Sequence, residues 1–583
     1  MTKQNMIRSM RRLFSLVLAF VMVFAMTACG TPTPTTAPTQ SMQGDPTTAP
    51  TTQPTEPTEP PTEPTTQPTE PTTQPTEPTT APTEPLPERD PLVYTLSQED
   101  VDEFYRLLSE CETLSIAGEN MEAIEASTDQ VDELYAFMEE QYTIAMILHY
   151  CDTTDKALET QYLDCVNIVT EANKEYILMT RRVYLSDSPA KEELFKDWTE
   201  EDIATLLAYE GEVADLQARN EEIEVAYMAT SSDAVRIPLY IELVQNNNKI
   251  AQIYGYDNYY EYAYDRVYDR DYSPEDLETM RTYAKTYLVP AFETALRSFN
   301  NSYSRLDDGQ QKVVTDFLYT NYYRARKNYV RLYLEDLPAS SAQMMNEMIE
   351  VDSTFIYSSK GREGAFTTTI GDRSYCYFGP GYANSSTVVH EAGHYYASRY
   401  MDLGDIPLDL AEVHSQGNEW LFVHFLKDHM NEKPYEALVD YRLRSDLGTI
   451  LICLMIDEFE SKVYTTDISN YTAEDFDALM ESIATQYYDM FYVNNNLTDI
   501  NAYWRAVVVK QPVYYISYGV SAIASIDLYT MAVEDYEGAK NAYVNLCEKP
   551  DEEKGFQGNL TAAGLRGPFD ESFYKDLIKL LNS

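Results

Sequence analysis

His390-Glu391-Ala392-Gly393-His394 places two imidazoles and a carboxylate in one short stretch, within the run from Ser386 to Tyr400. On a helix, residues four apart project from one face. His390 and His394 can therefore grip a single zinc ion while Glu391 stands over its open side. The chemistry such a trio performs is hydrolysis by a metal-activated water. The whole chain holds only 6 histidines in 583 residues, so histidine abundance does not produce the pattern.

Two imidazoles do not complete such a site, because catalytic zinc takes three protein ligands and keeps one position open. Downstream, Asp405, Asp409, Glu412 and His414 all have suitable side chains. On a helix Glu412 and His414 point about 200° apart, so only one of the two can face the metal. A carboxylate makes a His-His-Glu site; a third histidine makes a different class.

The elements that must hold these groups can be read from pattern. Asn384, Ser385 and Ser386 offer N-cap oxygens after the breaker Gly379-Pro380-Gly381, and Val388, Val389, Ala392 and Tyr396 fall at helical intervals. Just upstream, Ala365–Ile370 and Ser374–Phe378 flank the turn-forming Gly371-Asp372 and predict a hairpin. Most of the remaining body has helical periodicity. Val131, Leu134, Tyr135, Met138, Tyr142 and Met146 recur at threes and fours, as do Leu158, Tyr162, Cys165, Val169, Ala172 and Tyr176. Thr199 with Asp202, Ser273-Pro274 with Asp276, and Thr472 with Asp475 mark helix starts.

With these residues in place, the stretch Asp409 to Trp420 (DLAEVHSQGNEW) resembles the third-ligand helix of the M3 zinc oligopeptidases, the oligoendopeptidase F and thimet oligopeptidase group. A weaker similarity runs to the M2 peptidyl-dipeptidases. Lys360 to Phe366 is similar to the M3 hairpin before the metal helix, and Ile250 to Glu278 to the family's N-terminal helical region; in all the resemblance covers most of residues 200–535. It implies a mainly α, gluzincin-like fold of two helical subdomains around a deep cleft, with a small β-hairpin before the metal helix. It also implies one Zn2+ held by His390, His394 and Glu412, with Glu391 assisting attack of a zinc-bound water on the peptide bond.

Glu419, on the ligand-bearing side of its helix, is the expected partner that orients an imidazole. The segment Pro512 to Ser521 resembles the one in which two tyrosines stabilise substrate and transition state. By that likeness Tyr518 supplies the oxyanion donor, while Tyr515, with Tyr514, contacts substrate. The strand carrying Ala365 and Phe366 is implied to pair with substrate backbone. The chain also departs from the family. Only 17 residues separate His394 from Glu412, Ala397 stands where relatives have a further histidine, and no histidine follows His429. Lys510 is a candidate substitute donor.

The first 29 residues look like an export address. Lys3, Arg8, Arg11 and Arg12 precede an apolar core, Leu13 to Met26, and Met26-Thr27-Ala28-Cys29 resembles a bacterial lipoprotein signal with Cys29 as the lipidated residue. Residues 30–89 are almost entirely Thr, Pro, Glu and Gln, a composition that buries nothing and favours an extended stalk. Residues 90–583 form the expected peptidase domain. A net charge of −52 offers nothing to neutralise phosphates and argues against nucleic-acid partners. Cys111, Cys151, Cys165, Cys376, Cys453 and Cys547 are scattered without paired spacing and read as small buried residues.

The expectation is thus a zinc endopeptidase cleaving oligopeptides, lipid-anchored on the extracellular face of a bacterial cell membrane. Two rivals stand beside it: release of C-terminal dipeptides, and a lipoprotein that captures peptides without cutting them.

Overall fold

A computed structural model of the chain describes residues 92–209, 212–319, 329–350, 354–401, 407–487, 497–551 and 554–581. The export segment with Cys29, the Thr/Pro-rich tract and Asp405 lie outside the described residues. All the described residues fall in one compact unit, mainly helical, with a single three-stranded sheet among them.

Local chemistry starts the helices where the pattern placed them. Thr199 with Asp202 and Ser273 with Asp276 form reciprocal capping boxes, and the Thr472 hydroxyl accepts from the Asp475 amide while donating to its carboxylate. The N-terminal helices Gln98–Ala117, Met121–Cys151 and Lys156–Leu185 pack on one another through the periodic residues read from the sequence. Val131, Tyr135, Met138, Tyr162, Cys165, Val169 and Tyr176 lie in their shared core.

A second and larger core gathers the histidine helix Ser385–Ala397, the carboxylate helix Leu408–Phe425, the long helix Glu432–Thr465 and the tyrosine helix Ile516–Glu534. The tyrosine helix is buried along most of its length, its polar Ser517, Ser521, Ser525 and Asp527 included.

The sheet lies between the two cores. β1 (Phe355–Tyr357), β2 (Ala365–Ile370) and β3 (Arg373–Phe378) run in the order β1-β3-β2, with β2 antiparallel and β1 parallel to β3. Side chains alternate across a strand, and here each face meets a different core. Ile356, Phe366, Tyr375 and Tyr377 enter the N-terminal core, whereas Phe355, Ala365, Cys376 and Phe378 enter the larger one. The hairpin turns at Gly371, whose φ of 59° suits a residue without a Cβ. The parallel β1 was not foreseen from the sequence: three residues carry no readable alternation.

Among the described residues Cys111, Cys165, Cys376, Cys453 and Cys547 are buried and Cys151 is partly buried.

Candidate metal centre

The histidine helix begins where the Asn384 side chain accepts from the Thr387 amide, 3.0 Å away. His390 and His394 then fall one above the other, with ring centroids 5.2 Å apart. The carboxylate helix crosses at backbone contact. A Cβ on Gly393 would meet the His414 carbonyl oxygen at 2.2 Å and the Ser415 Cα at 2.9 Å, so only glycine allows this approach. Asn418 secures the crossing by donating from Nδ2 to the Val389 carbonyl at 2.7 Å.

At this crossing Glu412 Oε2 lies 3.9 Å from His390 Nε2 and 4.0 Å from His394 Nε2. The three ligand atoms all sit within 4.8 Å of one another. A tetrahedral ion with bonds of ~2.1 Å needs ligand atoms ~3.4 Å apart. The observed gaps to Glu412 exceed that by about half an ångström, a shift that side-chain torsions absorb.

Burial and charge support the same fit. Glu391 is 0 % exposed and Glu412 3 %. Glu391 Oε1 and His390 Nε2 are buried polar atoms without a hydrogen-bond partner, the arrangement expected of groups whose partner is an ion or its ligand. Burial pushes the Glu391 carboxyl up to about 7, against the pull of His390 and a hydrogen bond from Thr367. Burial likewise raises Glu412, with His390 opposing, and drives His394 well below the ordinary imidazole value, as do His390 and His414. A neutral His394 is a suitable donor for zinc, and His390 points toward the same place an Nε2 that has no hydrogen-bond partner and that a metal can claim by displacing its proton.

Around these groups stands a supporting ring. Glu419 Oε1 is 2.9 Å from His390 Nδ1, which fixes the ring so that Nε2 faces Glu412. Glu419 is in turn held by the hydroxyl of Ser386 and by Nη1 of Arg442. Burial alone would raise its carboxyl, but Arg442 and His390 bring it down to about 2. For His390, burial pulls downward and the Glu419 carboxylate more than compensates, holding it at about 9. Thr367 on β2 donates to Glu391 Oε2 at 2.7 Å. Ser415 donates to Glu412 Oε2 at 3.2 Å.

Thr367 and Arg442 are not legible in the sequence, since each reaches the site from another element; Ser386, a cap candidate by sequence, lies on the histidine helix itself and serves Glu419 instead.

Two other ligand candidates have partners of their own. His414 is buried with Nε2 3.1 Å from the Leu546 carbonyl oxygen, and the Asp409 carboxylate accepts from the Tyr272 hydroxyl at 2.8 Å. Tyr514, Tyr515 and Tyr518 are all buried at the start of the tyrosine helix, with the Tyr514 and Tyr518 hydroxyls 3.1 Å apart. Ala365 and Phe366 put their side chains into opposite cores, so backbone is what β2 presents along its edge. Lys510 is half-buried, and its charged neighbours are Arg362 and Glu224; burial and Arg362 lower it to about 8.

The fold is that of helical oligoendopeptidase F structures, and this chain carries within it a His-His-Glu cluster. Among solved structures, PZ peptidase A with an inhibitor superposes with a TM-score of 0.60, covering 83% of this chain and 97% of that one at 17% identity. Oligoendopeptidase F from Enterococcus faecium gives a TM-score of 0.51 over 84% and 98% at 13% identity. At such low identity these superpositions show the fold alone.

In sequence, the chain is 28% identical over 179 residues to an oligoendopeptidase F homolog of Lactococcus lactis subsp. lactis, 27% of this chain and 29% of the relative. It is 30% identical over 148 residues to the chromosomal oligoendopeptidase F of Lactococcus lactis subsp. cremoris, covering 24% of each. The matches therefore span less than a third of these relatives. No family model matches. The resemblance to the M3 oligopeptidases read from the sequence is present in both kinds of comparison.

Proposed function

We propose that the protein is a zinc metallopeptidase that hydrolyses oligopeptides, tethered outside the cell by a lipid on Cys29. The observation that carries the reading is the convergence of His390, His394 and Glu412 beside a buried carboxyl, Glu391, with one oxygen uncommitted. Similarity to oligoendopeptidases F supports the substrate class.

His390, His394 and Glu412 would hold the ion. When bound, it supplies Lewis acidity, polarising the scissile carbonyl and acidifying water toward neutrality.

The chain's own groups do the rest. Glu391 accepts the proton of the attacking water and returns it to the leaving amine. Thr367 holds one carboxylate oxygen and leaves the other for the proton. Tyr518 donates to the developing oxyanion, while Tyr515 and Tyr514 contact substrate. Only one edge of β2 pairs within the sheet, which leaves the other to hydrogen-bond an extended peptide. Glu419 keeps His390 in the tautomer that presents Nε2.

The deciding experiment measures metal content and cleavage of a mixed peptide library by the purified protein, with and without chelator, beside Glu391→Gln. Zinc-dependent cleavage that Glu391→Gln abolishes while retaining zinc sustains the reading. Unchanged cleavage by Glu391→Gln sinks it. Substrates with blocked and free C-termini separate internal cleavage from dipeptide release, and loss of lipid labelling in Cys29→Ser tests the anchor.

A further inference from the structure

Val513 has φ +66°, a conformation that a β-branched residue adopts only where its surroundings force it. It immediately precedes Tyr514, Tyr515 and Tyr518. Its backbone is held on both sides: its amide donates to Glu460 Oε1 at 2.8 Å, and its carbonyl accepts from Arg270 Nη2 at 2.9 Å. The same Arg270 nitrogen donates to the Ser517 hydroxyl at 3.0 Å, and the Tyr268 hydroxyl donates to the Pro512 carbonyl at 2.8 Å.

Arg270 is itself fixed. Its side chain is fully buried, with the guanidinium carbon 4.5 Å from the ring centroids of both Tyr264 and Tyr268. Its Nε stands 3.9 Å from Asp409 Oδ2 on the carboxylate helix, one turn before Glu412. The Ser521 hydroxyl closes the loop by donating to the Asp409 carbonyl at 2.9 Å. One cation thus touches both the helix that carries Glu412 and the turn that launches the three tyrosines.

We infer that Arg270 is a positioning residue: with Glu460 it locks Val513 in the left-handed turn, and through Asp409 it sets Tyr514, Tyr515 and Tyr518 in register with the Glu412 helix. The catalytic half of this inference rests on the peptidase reading above. A planar guanidinium is needed because one nitrogen serves two acceptors while the flat face lies between rings; an ammonium keeps the charge and loses that geometry.

The test uses the full, zinc-supplemented protein and Arg270→Lys, which retains the buried charge beside Asp409. Zinc stoichiometry should stay at the wild-type value, while kcat falls about tenfold or more and KM moves less than about threefold. Adding Val513→Gly should recover about fivefold of kcat, since glycine takes φ near +66° without the clamp. Amides of Val513 to Ser521 should exchange with deuterium about tenfold faster in Arg270→Lys. Should that variant not fold, Tyr268→Phe, which removes only the hydroxyl on Pro512, should give the same pattern at about threefold.

An active wild type whose kcat is unaltered in these variants overturns the inference. If the zinc-loaded wild type cleaves no peptide, the peptidase reading falls and exchange alone decides: faster exchange sustains the clamp, and unchanged exchange overturns it.

Discussion

Around Asp457, and again around Glu391 and Glu412, the protein buries carboxylates to a similar depth and gives them different company. Asp457 is 1 % exposed and accepts from the hydroxyls of Tyr260 and Tyr264 at 3.0 and 2.7 Å and from Nη2 of Arg281. That cluster carries its own cation. At the helix crossing Glu391, Glu412 and Glu419 are buried together, and Arg442 pairs with Glu419 and Asp446; among the described residues the groups set against Glu412 are the imidazoles of His390 and His394. The same price of desolvation is met by an internal ion pair in one place and by a donor set suited to a divalent cation in the other. A buried acid is therefore a functional signal only once its counter-charge has been accounted for.

Four measurements break or sharpen that contrast. Glu391→Gln should lower kcat by about 10²–10⁴-fold, the range for removing a general base, with zinc content unchanged; a comparable loss of zinc would move Glu391 into the ligand set. Arg281→Met leaves Asp457 buried and unpaired and should cost about 3–5 kcal/mol in chemical denaturation, equally with and without zinc. A zinc-dependent cost there would erase the distinction between the two clusters.

Glu419→Gln removes the carboxylate charge that holds His390 and should weaken zinc binding about 10–100-fold in competition with a chromophoric chelator.

The smallest effect is a proton count. In the metal-free protein His390, held at about 9, is charged at neutral pH, and a metal must displace its Nε2 proton. Zinc binding at pH 7 should therefore release about one proton, seen as a buffer-dependent calorimetric enthalpy, and affinity should rise with pH up to about 9. In Glu419→Gln the folded His390 pKa drops, so release at pH 7 should shrink.

The sign for stability follows the same logic. Glu419, lowered to about 2, contributes stability that is present in full above the ordinary carboxylate value and is lost as pH falls toward 2. His390, raised to about 9, contributes stability to the metal-free protein that is present below the ordinary imidazole value. That contribution is lost as pH rises through 9.

Legibility in the sequence followed the range of the interaction. Helix starts at Asn384, Thr199 and Ser273 are set by neighbours three residues away, and the His390–His394 spacing is local by nature. The hairpin of β2 and β3 was likewise readable, from alternation around a glycine turn. Glu412 could be chosen among four candidates only through resemblance, since helical geometry excluded one of two and no more. Thr367 and Arg442 had no trace at all, because their partners stand 24 and 23 residues away on different elements. The role of Gly393 was equally hidden: it depends on how closely a second helix passes.

The two-faced strand β2 has an engineering consequence. Phe366 and Thr367 are adjacent in sequence, yet one belongs to the N-terminal core and the other reaches Glu391. Inserting a single residue upstream in this strand would swap the inward and outward sets, sending an aromatic ring toward Glu391 and a hydroxyl into the aromatic layer. Length variation here should be tolerated in steps of two, and a library built on that parity would map how tightly the bundle and the candidate metal centre are indexed to each other.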